Sequence, residues 1–181
     1  VRVALDKYPD MADGAIIMGT GQQPALMLSL AQAMAKSEAK KAGGFDHWTE
    51  KIDDMTLGNY NKKFAPTTSK FDWLCANKAA VDAYDADSKK QDHVTIGIFN
   101  AMLELMKSAS KPRNIKKIPI LFMSGDVDPV GEAKKGVIRA VKAYQKAGLE
   151  PEVKFYPGRH DILHEAAQPD VYKDIYDWTQ K

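Results

Sequence analysis

Residues 118–131, IPILFMSGDVDPVG, decide how the rest of the chain is read. Ile118 to Met123 form a short apolar run that empties into turn-forming residues from Ser124 to Gly131. Such a run suits a strand buried on both faces, and strands of that kind belong to parallel sheets covered by helices. Downstream the pattern repeats. A helix is predicted over about 132–147, with Val137, Ile138, Val141 and Tyr144 on one face, stopped by Gly148 and then Pro151. EVKFYPGRHD, 152–161, reads as a third strand at 153–156 and its exit loop. Val171, Ile175 and Trp178 then mark the buried face of a final helix. Strand, helix, strand and helix in this order call for parallel pairing with right-handed crossovers, an α/β fold.

Upstream, GAIIMGTG at 14–21 is another short buried strand, at 14–18, with a glycine-rich exit. The opening VRVALDKYP reads as the end of a helix stopped at Tyr8-Pro9. From about 22 to 115 no strand alternation appears. Leu26, Leu30, Ala33 and Met34 recur at helical spacing after Pro24, and further helices are predicted around 47–58, 77–86 and 95–107. The last carries Ile98, Met102, Leu105 and Met106, and polar connectors at 59–72 and 85–93 separate the helices. This middle segment reads as a helical insertion, or cap, between two portions of one sheet at 1–21 and 116–181.

Composition narrows the function classes. The 181 residues are 44% hydrophobic and 28% charged, an ordinary globular balance. A net charge of +2 offers no bulk attraction for nucleic acid, and the basic stretch KPRNIKK at 111–117 lacks the interleaved aromatics of a nucleic-acid site. Cys75 is the single cysteine, so the chain forms no internal disulfide and no cysteine-based zinc site. No apolar stretch is long enough to span a bilayer, and a cytoplasmic location is expected. Val1 in place of Met, after a truncated-looking helix, predicts that the chain starts partway through a larger protein.

Open parallel sheets build their sites from the loops at the carboxyl ends of the strands. Two such loops carry acid–base residues here: Asp126 and Asp128 after the second strand, and His160 after the third. Asp128 and His160 fall in neighbouring loops, where a carboxylate can fix one imidazole tautomer and stabilise the imidazolium. Asp126, in a turn-rich segment, reads mainly as a turn former, and His164 as structural or exposed. His47 and His93 have no partner pattern and read as surface residues. A metal site from Asp126, Asp128 and His160 lacks a second histidine or any spaced ligand motif. None of Ser29, Ser37, Ser69, Ser88, Ser108, Ser110 or Ser124 sits in a G-x-S-x-G turn.

IPILFMSGDVDPVG, the helix ending KAYQKAGL (142–149), VKFYPGRHDILHE (153–165) and DIYDWT (174–179) together resemble the end of an α/β-hydrolase. More narrowly, they are similar to the lysophospholipase, monoacylglycerol-lipase and serine-aminopeptidase-like group. The resemblance implies that Asp128 is the acid and His160 the base of a Ser-His-Asp triad. The serine and oxyanion hole would then lie upstream of Val1, along with the missing N-terminal part of the sheet. Asp161 departs from the group, which more often has Glu there. The substrate implied is a carboxylic ester of acyl-glycerol or lysophospholipid type, with no metal or organic cofactor. The eight methionines read mainly as core filler, although in a helical cap Met27, Met34, Met102 and Met106 could line an adaptable apolar pocket. The alternatives are a non-catalytic, truncated or degenerate hydrolase fragment with a structural or binding role, and a peptide or lactone hydrolase using the same triad. On any of these readings the 181 residues alone are expected to be inactive and to form an incomplete domain.

Overall fold

Ile120–Gly125 (β2) is the middle strand of a three-stranded parallel sheet, between Ala15–Met18 (β1) and Glu152–Tyr156 (β3). The computed structural model describes residues 1–90 and 93–181. Every residue of β2 is buried, and side-chain alternation explains why. Ile120 and Phe122 face one layer with Leu5, Val137, Ala140, Val141 and Tyr144. Leu121 and Met123 face the other, with Ile162 and Val171 and with the partly buried Ile175 and Trp178. The first layer comes from Arg2–Lys7 (α1) and Lys135–Lys146 (α6), the second from Gln168–Thr179 (α7). The periodicities read from the sequence for these helices therefore mark faces that enter the core.

Two boundaries move. β2 starts and ends two residues later than the apolar run suggests. Pro119 has no N–H to give, though its carbonyl accepts from Ala15 N, whereas Ser124 and Gly125 still pair with Phe155 and Tyr156. The helix expected from 132 begins only at Lys135, because Glu132, Ala133 and Lys134 are all left-handed (φ 51°, 47° and 78°). Their coil lets Ala133 N reach Asp128 O at 2.9 Å, closing the turn before the helix can start.

The segment from 22 to 115 contains no strand among the described residues. It comprises Ala25–Ala42 (α2), Glu50–Asp53 (α3), Lys78–Ala86 (α4) and Ile96–Ala109 (α5), with π-helical and 3-10 turns at Asp54–Gly58 and Tyr60–Phe64. The stretch expected as one helix over 47–58 is thus split. Thr56 Oγ1 bonds to the carbonyls of Ile52 and Asp53, each at 3.0 Å, where the split occurs. Of the connector at 85–93, residues 91 and 92 lie outside the described residues.

The apolar spacing noted on α2 turns out to mark its outer side. Leu26 is 71% exposed and Leu30 53%, whereas Leu28, Ala35 and Ala39 are buried against Ile52, Ile96, Phe99 and Leu103. Small alanines let α2 and α5 approach closely, so alanine positions form the seam. Ile98, Met102 and Leu105 are likewise on the outer side of α5.

Arg2 ties this helical segment to the sheet. Its guanidinium is buried and donates to Gly21 O (3.0 Å), Gln22 Oε1 (2.7 Å) and Ala109 O (2.7 Å). Burial pushes its pKa down from the ordinary arginine value.

Among the described residues β1 pairs only with β2, so its other edge is open, and Val1, Tyr8, Met11 and Met18 are exposed. An open edge beside apolar surface favours association. Produced alone, residues 1–181 are expected to self-associate in light scattering. A monomer with one cooperative unfolding transition would be the contrary result.

Candidate active site

The loop leaving β2 bends at once, and its geometry serves one carboxylate. Asp128 is 0% exposed. Its Oδ1 accepts the Val130 amide at 2.8 Å, and Ser124 Oγ stands 3.4 Å from Oδ2. The loop leaving β3 brings His160 to the same point, with Nδ1 3.2 Å from both carboxylate oxygens. A buried carboxylate without partners is costly, and here the amide and the imidazole meet that need. With Nδ1 held by the carboxylate, Nε2 is the nitrogen left for proton transfer.

Two glycines make the approach possible. A Cβ on Gly125 would stand 1.8 Å from the Arg159 carbonyl oxygen and 2.3 Å from that of Gly158, so the end of β2 lies flat against the histidine loop. Gly19, directly after β1, has φ +59°, and a Cβ there would stand 2.9 Å from His160 Cε1. Gly19 therefore forms the floor under the imidazole. The Gly-Thr-Gly break at 19–21 was readable as the end of a strand; its contact with His160 needed coordinates.

The opposite wall comes from the helical segment. The Trp73 ring lies 5.2 Å from the His160 ring, tilted by 45°, and Tyr60 lies 4.9 Å from Trp73. Asn61 Oδ1 holds the Trp73 amide at 2.7 Å. Burial, helped by the Asp128 charge, pushes the Tyr60 phenol above its ordinary pKa. Neither aromatic had any signal in the sequence, because Tyr60 sits in a polar connector and Trp73 directly after it, with no periodicity in either place.

His160 opens onto a cavity of about 1050 Å³ lined by residues of α1, β1, α2 and α5. Met27, Met102 and Met106 line it, as the methionine pattern suggested, joined by Met55; Met34 is not among the lining residues. Apolar residues dominate the cavity's lining, with Arg2, Thr20, Gln23, Thr56, Tyr60 and His160 among the polar ones.

The other sequence candidates lie elsewhere. Asp126 accepts the Gly158 amide at 3.2 Å and thereby shapes the turn. His164 pairs with Asp161 at 2.7 Å on the surface. His47 is exposed, 3.9 Å from Asp46. His93 is exposed, as read, and has partners that the sequence did not show: its Nδ1 lies 2.5 Å from Asp53 and its ring stacks on Trp48. Asp53 lies far away in sequence, so no local pattern announced the pair. The basic stretch at 111–117 is docked through its backbone, Asp6 accepting the amides of Arg113 and Asn114. Among the described residues no serine hydroxyl hydrogen-bonds to His160, and no three His, Cys, Asp or Glu side chains converge as metal ligands. Also among the described residues, no helix is long and apolar enough to cross a membrane.

The profile of the family described as serine aminopeptidase, S33 matches residues 1–167. Among solved structures, a thermostable carboxyl esterase from Bacillus coagulans superposes with a TM-score of 0.83 at 20% identity, covering 99% of this chain and 60% of that one. A lipase in its open form gives 0.72 at 17% identity, over 96% of this chain and 58% of the other. A monoacylglycerol lipase from Paleococcus ferrophilus gives 0.67 at 17% identity, over 98% and 62%. At such identities the likeness is one of fold, and the chain spans about 60% of the length of these structures. A search of curated proteins found no significant match.

Gly19→Ala is expected to cost about 1–2 kcal/mol through left-handed strain and to displace the imidazole from Asp128. Denaturant titration and the ring resonances of His160 provide the check; an unchanged ring environment would mean that Gly19 is not its floor.

Proposed function

The chain belongs to the serine aminopeptidase family of α/β-hydrolases, and on that footing we propose that Asp128 and His160 are the acid and base of a serine-hydrolase triad. The nucleophilic serine and the oxyanion-hole donors would be supplied by residues outside these 181. The observation that carries the proposal is the buried carboxylate within 3.2 Å of a loop imidazole, at the carboxyl ends of adjacent parallel strands and at the mouth of a cavity.

The chemistry would run as follows. His160 Nε2 takes the serine proton as the oxygen attacks an ester carbonyl, then returns it to the departing alcohol, leaving an acyl-enzyme. It next takes a proton from water, whose oxygen attacks the acyl carbonyl, and gives that proton back to the serine as the acid leaves. Asp128, bonded to Nδ1, keeps Nε2 unprotonated at rest and stabilises the imidazolium in each half. No metal or organic cofactor enters these steps.

We assign residues 22–115 to a cap over this site, with 1–21 and 116–181 as parts of the core. The methionines along the cavity suit a flexible apolar chain, since thioether side chains repack around irregular shapes. A monoacyl ester, of a glycerol or a lysophospholipid, therefore matches the site better than a peptide, whose backbone would meet few polar partners along that wall. A non-catalytic role is the second reading; what favours it is that no serine hydroxyl contacts His160 among the described residues.

In the full-length protein Asp128→Asn is expected to lower turnover by about 10⁴, the scale set by the equivalent change in serine proteases. Asp126→Asn should act through stability and leave turnover within a few-fold. Equal effects, measured with a short-chain nitrophenyl ester, would assign the wrong carboxylate. For the cavity, Met27→Ser with Met102→Ser should weaken turnover of a long-chain ester about tenfold more than that of a short-chain one, as buried methylenes contribute about 0.8 kcal/mol each. Equal losses at both chain lengths would make the segment a scaffold.

A further inference from the structure

The buried carboxylate of Glu165 has no part in the reaction steps above, yet it occupies the junction between the histidine loop and the helical segment. It is 8% exposed, and a single oxygen, Oε1, accepts both the Arg159 amide at 2.8 Å and the Ala76 amide at 3.0 Å. Arg159 immediately precedes His160; Ala76 lies three residues after Trp73, whose ring faces the His160 imidazole. The same seam carries three more bonds. Arg159 Nη1 donates to the carbonyls of Asp72 and Cys75, and the Asp161 amide donates to Leu74 O at 2.7 Å. The guanidinium also lies over the Phe64 ring, 4.3 Å from its centre. Both backbone neighbours of His160 are thus bonded across this seam.

We propose that Glu165 is a positioning residue for His160: by holding the Arg159 and Ala76 amides on one oxygen, it locks the histidine loop to the 72–76 turn and so sets the imidazole between Asp128 and Trp73. The proposal deepens the triad reading and rests on it. Its physical basis is that Asp128 can hold Nδ1 only where the backbone brings the ring within reach. The ring turns about its side-chain torsions, and the backbone at 159–161, Gly19 below and Trp73 opposite decide whether Nδ1 meets the carboxylate. A carboxylate is suited to the role because an amide bonded to an ionised acceptor is held more strongly than one bonded to a neutral oxygen. Loss of the acceptor would leave two inward N–H groups without a partner, and the loop would relax toward solvent to satisfy them.

The experiment uses the full-length protein and two readouts: the proton resonance of His160 Nδ1–H in its bond to Asp128, assigned by its loss in Asp128→Asn, and steady-state hydrolysis of a short-chain nitrophenyl ester. Glu165→Ala is expected to abolish or broaden the resonance and to lower kcat by about 10–100-fold with KM within a few-fold, the scale of a small misplacement of a reacting group. Glu165→Gln, which keeps a carbonyl oxygen for both amides, should restore the resonance and most of kcat. A residue important only for stability would shift the melting temperature and leave both readouts alone in the folded fraction; that result overturns the proposal. If Glu165→Ala does not fold, Arg159→Gln cuts the bonds to Asp72 and Cys75 and must show the same loss, or the proposal fails. Failure of the triad reading looks different: wild type would show no Nδ1–H resonance sensitive to Asp128→Asn, or His160→Ala would keep full activity.

Discussion

A carboxylate with no exposure to water, Asp128, governs the architecture at the carboxyl edge of the sheet. Taking an ionised group out of solvent costs several kcal/mol unless hydrogen bonds replace the lost hydration. The replacements come from close at hand and from afar: the Val130 amide two residues on, and the His160 imidazole from the next strand's loop. The local bond demands the tight turn through Pro129, and the distant one demands that β3's exit loop lie against the end of β2. Gly125 permits that contact, since any side chain there would strike the backbone of Gly158 and Arg159. The left-handed run at 132–134 follows from the same demand, because the chain must uncoil from the turn before α6 can begin.

The helical segment obeys a different constraint. Its helices pack on one another through alanines and a few large residues, and leave many long apolar side chains outside that seam. In an ordinary globular layer such an arrangement would squander burial. Here Met27 and Met102 line the cavity that His160 also lines, so this apolar surface belongs to the site for which a chain-bearing ester is proposed.

Reading the sequence reached the sheet almost intact, since buried parallel strands advertise themselves as short apolar runs ending in turns. Asp128 and His160 were legible for the same reason: position at a strand's carboxyl end is a one-dimensional property. The partners that hold His160 were not. Tyr60 lies in a connector without periodicity and Trp73 directly after it, and Glu165 looks like one more charged residue ahead of a helix. Their roles arise from contacts across 87 and 89 positions in the case of Arg159 with Asp72 and of Glu165 with Ala76. The stripe on α2 announced the helix but not its packing, because spacing reveals that a helix has an apolar face without revealing whether that face is the tighter packed. The pairing of the surface residue His93 went unseen because its acid, Asp53, is 40 positions away.

Arg2 has a consequence for how the chain tolerates changes of length. Its guanidinium grips Gly21 and Gln22 at one root of the helical segment and Ala109 near the other, so the departure and the return of the chain are pinned by a single side chain. A loop whose ends are fixed in this way pays for added length only logarithmically, about 0.6 kcal/mol for each doubling. Insertions and deletions between the two roots therefore leave the strands nearly undisturbed, provided that they spare the 72–76 turn, which is bonded to Arg159, Asp161 and Glu165 at the carboxyl edge. Outside Tyr60 and the 72–76 turn, the segment is thus the part of the molecule where a change of length costs the strands beneath it least.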